Sequence, residues 1–397
     1  ALFRSGSIML SERMPMPKQI SYLKLRSSYA SVGLPFPRFL ANPTYNWDQN
    51  TQKWSIKTHY PMYDLKPERT NSWEIGLTAR FLDHFNFDIG LYTAKTFNQT
   101  FEPKISVSSK YSTIYVQTGS VRNKGIEMSL GYDNDWNGKF RWNSNFTFSA
   151  NKNEILELME NYAHPETGAI ITLDRLEIGG LEDAKFVLKK GGSLGDLYSI
   201  KDLQRDGNGK IYVNEKGEIA SVASDDIKLG SVFPKCNLSW RNDFGWKNLS
   251  FGFMISARIG GIAYSATQAK LDYFGVSEAT SVARDLGYVL INDYDQINPQ
   301  RWYSVVGAQN GIPQYYTYDA TNVRLQELSV GYTIPRKHLW GVADLTVSLV
   351  GRNLWMIYCK APFDPEAVAT TGNYYQGIDN FMTPSARSLG FNVRFKF

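Results

Sequence analysis

The chain has 397 residues, with 43 basic and 38 acidic side chains giving a formal net charge of +5 and an isoelectric point near 8.9. Aromatics reach 14% while charged residues are held to 20%, a balance that suits an apolar outer surface with a belt of rings at an interface. No run of about eighteen apolar residues exists, which excludes a helical membrane span; the basic residues form no cluster, which excludes nucleic-acid binding; and Cys236 and Cys359 are too few and too distant for a disulfide framework or a metal motif.

In chain order, Ala1 to Gly6 carries neither a charged leader nor an apolar stretch before a cleavage site, so the expectation is a mature or truncated sequence. The first candidate strand is Ile20 to Val32. In the second, Thr70 to Leu82, the residues Trp73, Ile75, Leu77, Ala79 and Phe81 share one face, opposite Glu74, Gly76, Thr78 and Arg80. A two-residue break leads into Phe85 to Lys95, with Phe85, Phe87, Ile89 and Leu91 on the apolar side, and the pair reads as a hairpin. Three further pairs follow: Gly125 to Tyr132 with Lys139 to Asn151, Cys236 to Asp243 with Lys247 to Arg258, and Asn322 to Ile334 with Val342 to Asn353. A terminal strand closes the set of ten, with Leu389, Phe391, Val393, Phe395 and Phe397 facing one way and Asn392, Arg394 and Lys396 the other.

Alternation of this kind also fits the edge of a soluble sandwich. The spacing between strands decides. Within pairs the gaps are short, at 83–84, 133–138, 244–246 and 335–341, while between pairs they are long, at 33–69, 96–124, 152–235, 259–321 and 354–387. Short and long connections segregated to opposite ends are the pattern of an outer-membrane barrel, with short periplasmic turns and long extracellular loops. The fold expected is therefore all-β: a transmembrane antiparallel β-barrel wall.

Several segments resemble one family. Leu65-Lys66-Pro67-Glu68-Arg69-Thr70-Asn71-Ser72-Trp73-Glu74-Ile75-Gly76-Leu77, Arg122-Asn123-Lys124-Gly125-Ile126-Glu127, Val323-Arg324-Leu325-Gln326-Glu327-Leu328-Ser329-Val330-Gly331-Tyr332-Thr333-Ile334-Pro335, Gly351-Arg352-Asn353-Leu354 and Phe363-Asp364-Pro365-Glu366 occur in the order seen in SusC/RagA-type TonB-dependent outer-membrane transporters of Bacteroidetes. The resemblance implies a barrel of about twenty-two strands around an N-terminal plug, a SusD-like surface lipoprotein as a lid, and energy delivered by TonB through the plug. Only ten strands are readable here, with no plug, no TonB-contacting segment and no N-terminal extension. Residues 1–397 thus read as the C-terminal part, somewhat under half, of such a transporter, and the remaining barrel wall and plug are expected as partners together with outer-membrane lipid. The implied function is import of a glycan or peptide; a membrane platform for other proteins on the same barrel is the alternative, because fold does not fix function.

Catalytic and metal chemistry finds little footing. Gly191-Gly192-Ser193-Leu194-Gly195 fits a nucleophile elbow in letters, but no helix start follows it. Asp206-Gly207-Asn208-Gly209-Lys210 hints at a calcium loop yet lacks its Gly and closing Glu, and reads better as a turn. His59, His84, His164 and His338 are isolated, so no zinc site is expected, and Asp225-Asp226 reads as solvated surface. No enzyme activity, metal or cofactor is expected. Trp302, Tyr303, Tyr315, Tyr316, Tyr318, Tyr374 and Tyr375 lie outside the strand pattern and are the candidates for contact with substrate or lid. Glu74, Arg80, Glu127, Arg141 and Arg258 are the candidates for facing the lumen, where the resemblance implies that plug side chains pair with them.

Overall fold

The computed structural model of the chain describes residues 1–36, 45–56, 59–60, 66–101, 113–117, 119–163, 170–367, 372 and 375–397. Its main body is one antiparallel sheet of eleven strands in strictly sequential order. They are β1 (Leu2–Met9), β2 (Ile20–Leu34), β3 (Glu68–Phe81), β4 (Phe85–Phe97), β5 (Ser120–Trp136), β6 (Phe140–Glu157), β7 (Cys236–Trp246), β8 (Leu249–Ile259), β9 (Asn322–Ile334), β10 (Asp344–Cys359) and β11 (Ser388–Lys396). All ten expected strands are present, several longer than expected, and β1 is an addition. Its Arg4-Ser5-Gly6-Ser7 centre breaks the apolar alternation by which the others are readable. The sheet is not closed, since β1 pairs only with β2, and β11 only with β10, among the described residues.

Register makes the two faces chemically different, because residues directly opposite one another in adjacent strands share a face. One row runs Leu25, Leu77, Ile89, Met128, Phe148, Leu238, Ala257 across β2 to β8. The adjacent row runs Arg26, Gly76, Gly90, Glu127, Ser149, Asn237, Arg258. Among the described residues nothing covers the apolar side: Trp73 is 53% exposed and Phe391 77%. An uncovered apolar face many strands wide is matched to hydrocarbon, and the sheet is a membrane wall that crosses with strands.

Toward the short-turn end the apolar face carries a continuous band of rings. Phe81 stacks on Phe85 at 5.2 Å, Phe85 meets Tyr132 at 4.9 Å, Tyr132 meets Trp142 at 4.9 Å, and Trp142 stacks on Phe244 at 6.0 Å, which continues to Phe251 at 6.1 Å. Such a girdle belongs at a membrane interface. Within it the Trp142 indole donates to Asn242 Oδ1 at 3.0 Å, satisfying an amide oxygen that is otherwise buried on the apolar side.

The long connections are not bare loops. Residues 175–231 form a four-stranded antiparallel sheet, Arg175–Gly180, Ala184–Lys189, Asp196–Leu203 and Ser221–Ser231. Residues 262–319 add the helices Ala266–Tyr273, Glu278–Leu286 and Pro299–Val306, whose starts are capped by the side chains of Ser265, Ser277 and Asn298. Phe186, Leu197, Leu203, Tyr264, Trp302, Val306, Ile312, Tyr316 and Ile378 pack together as its core. Among the described residues the largest buried core therefore sits in this layer beside the wall, as expected when the wall's own apolar face is turned to lipid.

Candidate functional site

On the polar face of the wall several charged groups satisfy one another across strands. Arg26 reaches across two strands to Asp88 with a two-pronged contact of 2.7 and 2.8 Å, and Thr78 donates to the same carboxylate at 2.5 Å. The guanidinium can do this because residue 76 is glycine: a Cβ there would lie 2.4 Å from Arg26 Cζ. Tyr92 uses Gly125 in the same way, since a Cβ at 125 would meet its ring at 2.3 Å, and its hydroxyl donates to Asn151 at 3.2 Å. Between these groups lies a cavity of about 580 Å³ whose walls include Glu74, Tyr92, Glu127, Ser149 and Asn237.

Pairing register places Glu74, Arg80, Glu127, Arg141 and Arg258 all on this face. Glu74 and Glu127 share the cavity, whereas Arg80, Arg141 and Arg258 do not line it. Glu74 stands 3.7 Å from Arg26, Arg80 lies over the Tyr22 ring at 5.7 Å, and Arg258 donates to the Val232 carbonyl at 2.6 Å. Further along, Glu327 is held between Arg241 at 3.2 Å and Arg352 at 3.4 Å. Sequence reading passed over Arg26, Asp88 and Arg241, whose alternation marked them as polar-facing but whose partners are set only by register.

At the long-loop end of β9 and β10 a second network ties the wall to the segment after it. Arg324, almost fully buried, contacts Asp364 at 2.8 and 3.2 Å, Glu366 at 3.4 Å, Asn322 at 3.2 Å and Asn353 at 3.3 Å. Asn353 has a φ of +52°, and its amide donates onward to Ser385 at 3.1 Å. Ser385 in turn donates to Asp364. Burial pushes the Asp364 carboxyl up, but the hydrogen bonds from Arg324 and Ser385 outweigh it and hold the group below the usual carboxylate range.

The aromatic candidates separate by burial. Trp302 and Tyr316 are inside the layer's core, where burial drives the Tyr316 phenol pKa upward. Tyr303 is half-buried, and Tyr318 packs edge-on against Phe363 at 5.7 Å. Tyr315, edge-on to Trp302 at 5.1 Å, and Tyr375 are exposed. Tyr374 and His164 lie outside the described residues.

Ser193 leads into a strand, not a helix, and its hydroxyl is occupied by Asp196 at 2.8 Å and Ser231 at 3.1 Å. Asp206 accepts from the backbone of Asn208 and Lys210, each at 2.9 Å, which makes the 206–210 segment a side-chain-closed turn. The expectation that Asp225-Asp226 is merely solvated is corrected at Asp226. That carboxylate is buried between Arg175 at 2.5 Å and Lys189 at 3.0 Å, and the hydrogen bond from Arg175 lowers its pKa. Among the described residues no group of three or more His, Cys, Asp or Glu could hold a metal ion.

With this geometry in place, a sequence profile described as "TonB dependent receptor-like, beta-barrel" matches residues 20–354. TonB-dependent receptor P3 of Formosa agariphila is 25% identical over 434 residues, covering 100% of this chain and 42% of that protein. TonB-dependent receptor SusC of Bacteroides thetaiotaomicron is 23% identical, covering 84% of this chain and 32% of SusC. A solved structure, the RagAB peptide importer in its closed-closed state, superimposes with a TM-score of 0.70 at 17% identity, covering 100% of this chain and 43% of the other, and shares the fold. The chain thus spans about two fifths of the relatives it matches from end to end.

Proposed function

The chain belongs to the TonB-dependent receptor β-barrel family, and from that premise we propose that it supplies part of the wall and the extracellular mouth of an outer-membrane nutrient importer. One observation carries the reading: eleven sequential strands present an uncovered apolar face and a polar face, with short turns at one end and a folded layer at the other. Neither outer edge can remain unpaired in hydrocarbon, where each bare N–H or C=O costs several kcal/mol. The edges of β1 and β11 are therefore completed by further wall strands of the same transporter.

In this reading Glu74, Arg80, Glu127, Arg141 and Arg258 face the lumen and meet the side chains of a plug, through which TonB delivers energy. The exposed rings Tyr315 and Tyr375 lie where substrate or a SusD-like lipoprotein lid would touch the mouth. The substrate is a glycan or a peptide; the importer named in the superimposed structure takes peptides. The protein makes and breaks no bonds in this role.

The test is uptake. A strain lacking the gene is compared with its parent on single glycans and peptides, with and without functional TonB. Loss of growth on one nutrient in both the deletion and the TonB-deficient strain supports the reading. Unchanged growth on every nutrient, with loss of other surface proteins, would replace it with a platform role.

A further inference from the structure

The short-turn end of the wall carries charge that the roles above leave unused. The connections after β5, β7 and β9 are residues 137–139, 247–248 and 335–343. Together they hold Lys139, Lys247, Arg336 and Lys337 and not one Asp or Glu. Among the described residues none of these four side chains has a carboxylate within ion-pair distance. The acids nearest in sequence are already engaged. Asp135 accepts the Gly138 N–H at 2.7 Å, Asp344 accepts the Arg336 N–H at 2.7 Å, and Asp243 is held by Arg241 at 2.9 Å.

The three connections also lie side by side. The Lys247 N–H donates to the Lys139 carbonyl at 3.1 Å, and the Thr333 N–H donates to the Asn248 carbonyl at 2.8 Å. Backbone bonding therefore gathers like charges along one rim, where they repel unless an anion from outside the chain lies between them.

A second observation says where that anion sits. Register puts Trp136, Phe140, Trp246, Leu249 and Tyr332 in one row on the apolar face. The Lys247 ammonium lies over the Trp246 ring, 5.3 Å from its centre, so this cation is drawn to the lipid side of the wall. In the third connection Trp340 is 94% exposed and has a φ of +52°, a conformation a bulky residue rarely adopts. Each of the three turns thus joins an exposed indole to unmatched positive charge. Indoles favour the headgroup level of a bilayer, and ammonium and guanidinium groups bond phosphate oxygens.

A belt of rings asks only for an interface; the unmatched cations ask for more. A zwitterionic headgroup brings its own cation beside its phosphate, whereas a headgroup of net negative charge does not. We propose that this rim is a binding surface for anionic phospholipid of the periplasmic leaflet, with a lipid phosphate between Lys139 and Lys247 and the start of its acyl chains along Trp246 and Leu249. Continuity with the lipid-facing wall and complementary charge carry the inference, which holds whether or not the barrel imports anything.

The experiment uses the whole transporter in detergent, titrated with dioleoyl phosphatidylglycerol, dioleoyl phosphatidylcholine and soluble glycerol phosphate, with retained molecules counted by native mass spectrometry. Phosphatidylglycerol is expected to bind about tenfold more tightly than phosphatidylcholine. Lys139→Gln combined with Lys247→Asn should remove that preference and leave phosphatidylcholine binding unchanged. Asn suits the φ of +52° at position 247, and heat-dependent gel mobility reports folding. Arg336→Gln with Lys337→Gln, in a different turn, provides a second variant that should weaken the preference. Lys216→Gln, an exposed lysine of the extracellular layer, should change nothing. Equal binding of the two lipids by the wild type, or a preference that survives in both double variants, overturns the proposal. Displacement of phosphatidylglycerol by equimolar glycerol phosphate also overturns it, since the rim would then be a site for a free anion and not for a lipid surface.

Discussion

Arg324 of β9 and Asp364 of the following connection are locked together by two hydrogen bonds, 2.8 and 3.2 Å long, inside a pocket where the guanidinium is 4% exposed. This contact joins the wall to the 360–387 segment. Removing one partner of a buried ion pair leaves the other desolvated and unpaired, at a cost of about 3–5 kcal/mol. Arg324→Met should therefore release the segment, detected as new protease cleavage between residues 360 and 387. Asp364→Asn, which keeps the shape and loses the charge, should release it less. Equal resistance of Arg324→Met and wild type would contradict the role.

The two faces of the wall predict opposite responses to the same substitution. Leu130 faces the apolar side and Ser129 the polar side of β5. A lysine on the lipid face costs about 2–4 kcal/mol at the bilayer middle and less toward the ring band beside Leu130, so Leu130→Lys should lower the yield of folded barrel in lipid vesicles, read by its heat-dependent gel mobility. Ser129→Lys should fold like wild type. The reverse order would mean that the faces are exchanged.

Within the ring band, Trp142→Phe keeps an aromatic surface and deletes the donor to Asn242. Leaving a buried amide oxygen without its partner costs about 1–3 kcal/mol. The denaturant midpoint of the variant in vesicles should fall accordingly. Introducing Asn242→Leu into the same protein should recover part of the loss, because no buried polar group then remains there.

Asp319 in the extracellular layer has a pKa held down to about 2 by the Thr321 hydroxyl and then by Lys360. A carboxyl whose folded pKa lies below its unfolded value of about 3.9 stabilises the fold above that value and loses the contribution as pH falls. The layer should accordingly weaken between about pH 4 and pH 2. The carboxylate is partly exposed and screened, so the effect is small. Asp319→Asn should flatten that part of the pH profile, measured by hydrogen exchange of residues 317–321.

The wall was legible because lipid on one side and water on the other impose a strict period of two, which Trp73 to Phe81 and Leu389 to Phe397 display without interruption. β1 escaped because Arg4, Ser5 and Ser7 do not carry that signal; it is recruited by pairing with β2. The folded layer escaped for another reason. Its core draws on Phe186, Tyr264, Trp302 and Ile378, residues far apart in sequence whose meeting no local pattern announces. That also explains why Trp302 and Tyr316, conspicuous as loop aromatics, are packing residues. The recurring segments have a physical basis here: Arg324, Asn353, Asp364 and Glu366, taken from three of them, all belong to the one network around Arg324.

Where Arg26 reclines over Gly76 and Tyr92 over Gly125, bulk that would otherwise stand off the polar face is laid sideways across the neighbouring strands. These stretches of the face are consequently flatter in relief than their residue content suggests, while they stay patterned in charge. Restoring a side chain at either glycine would raise a ridge where the surface is now level.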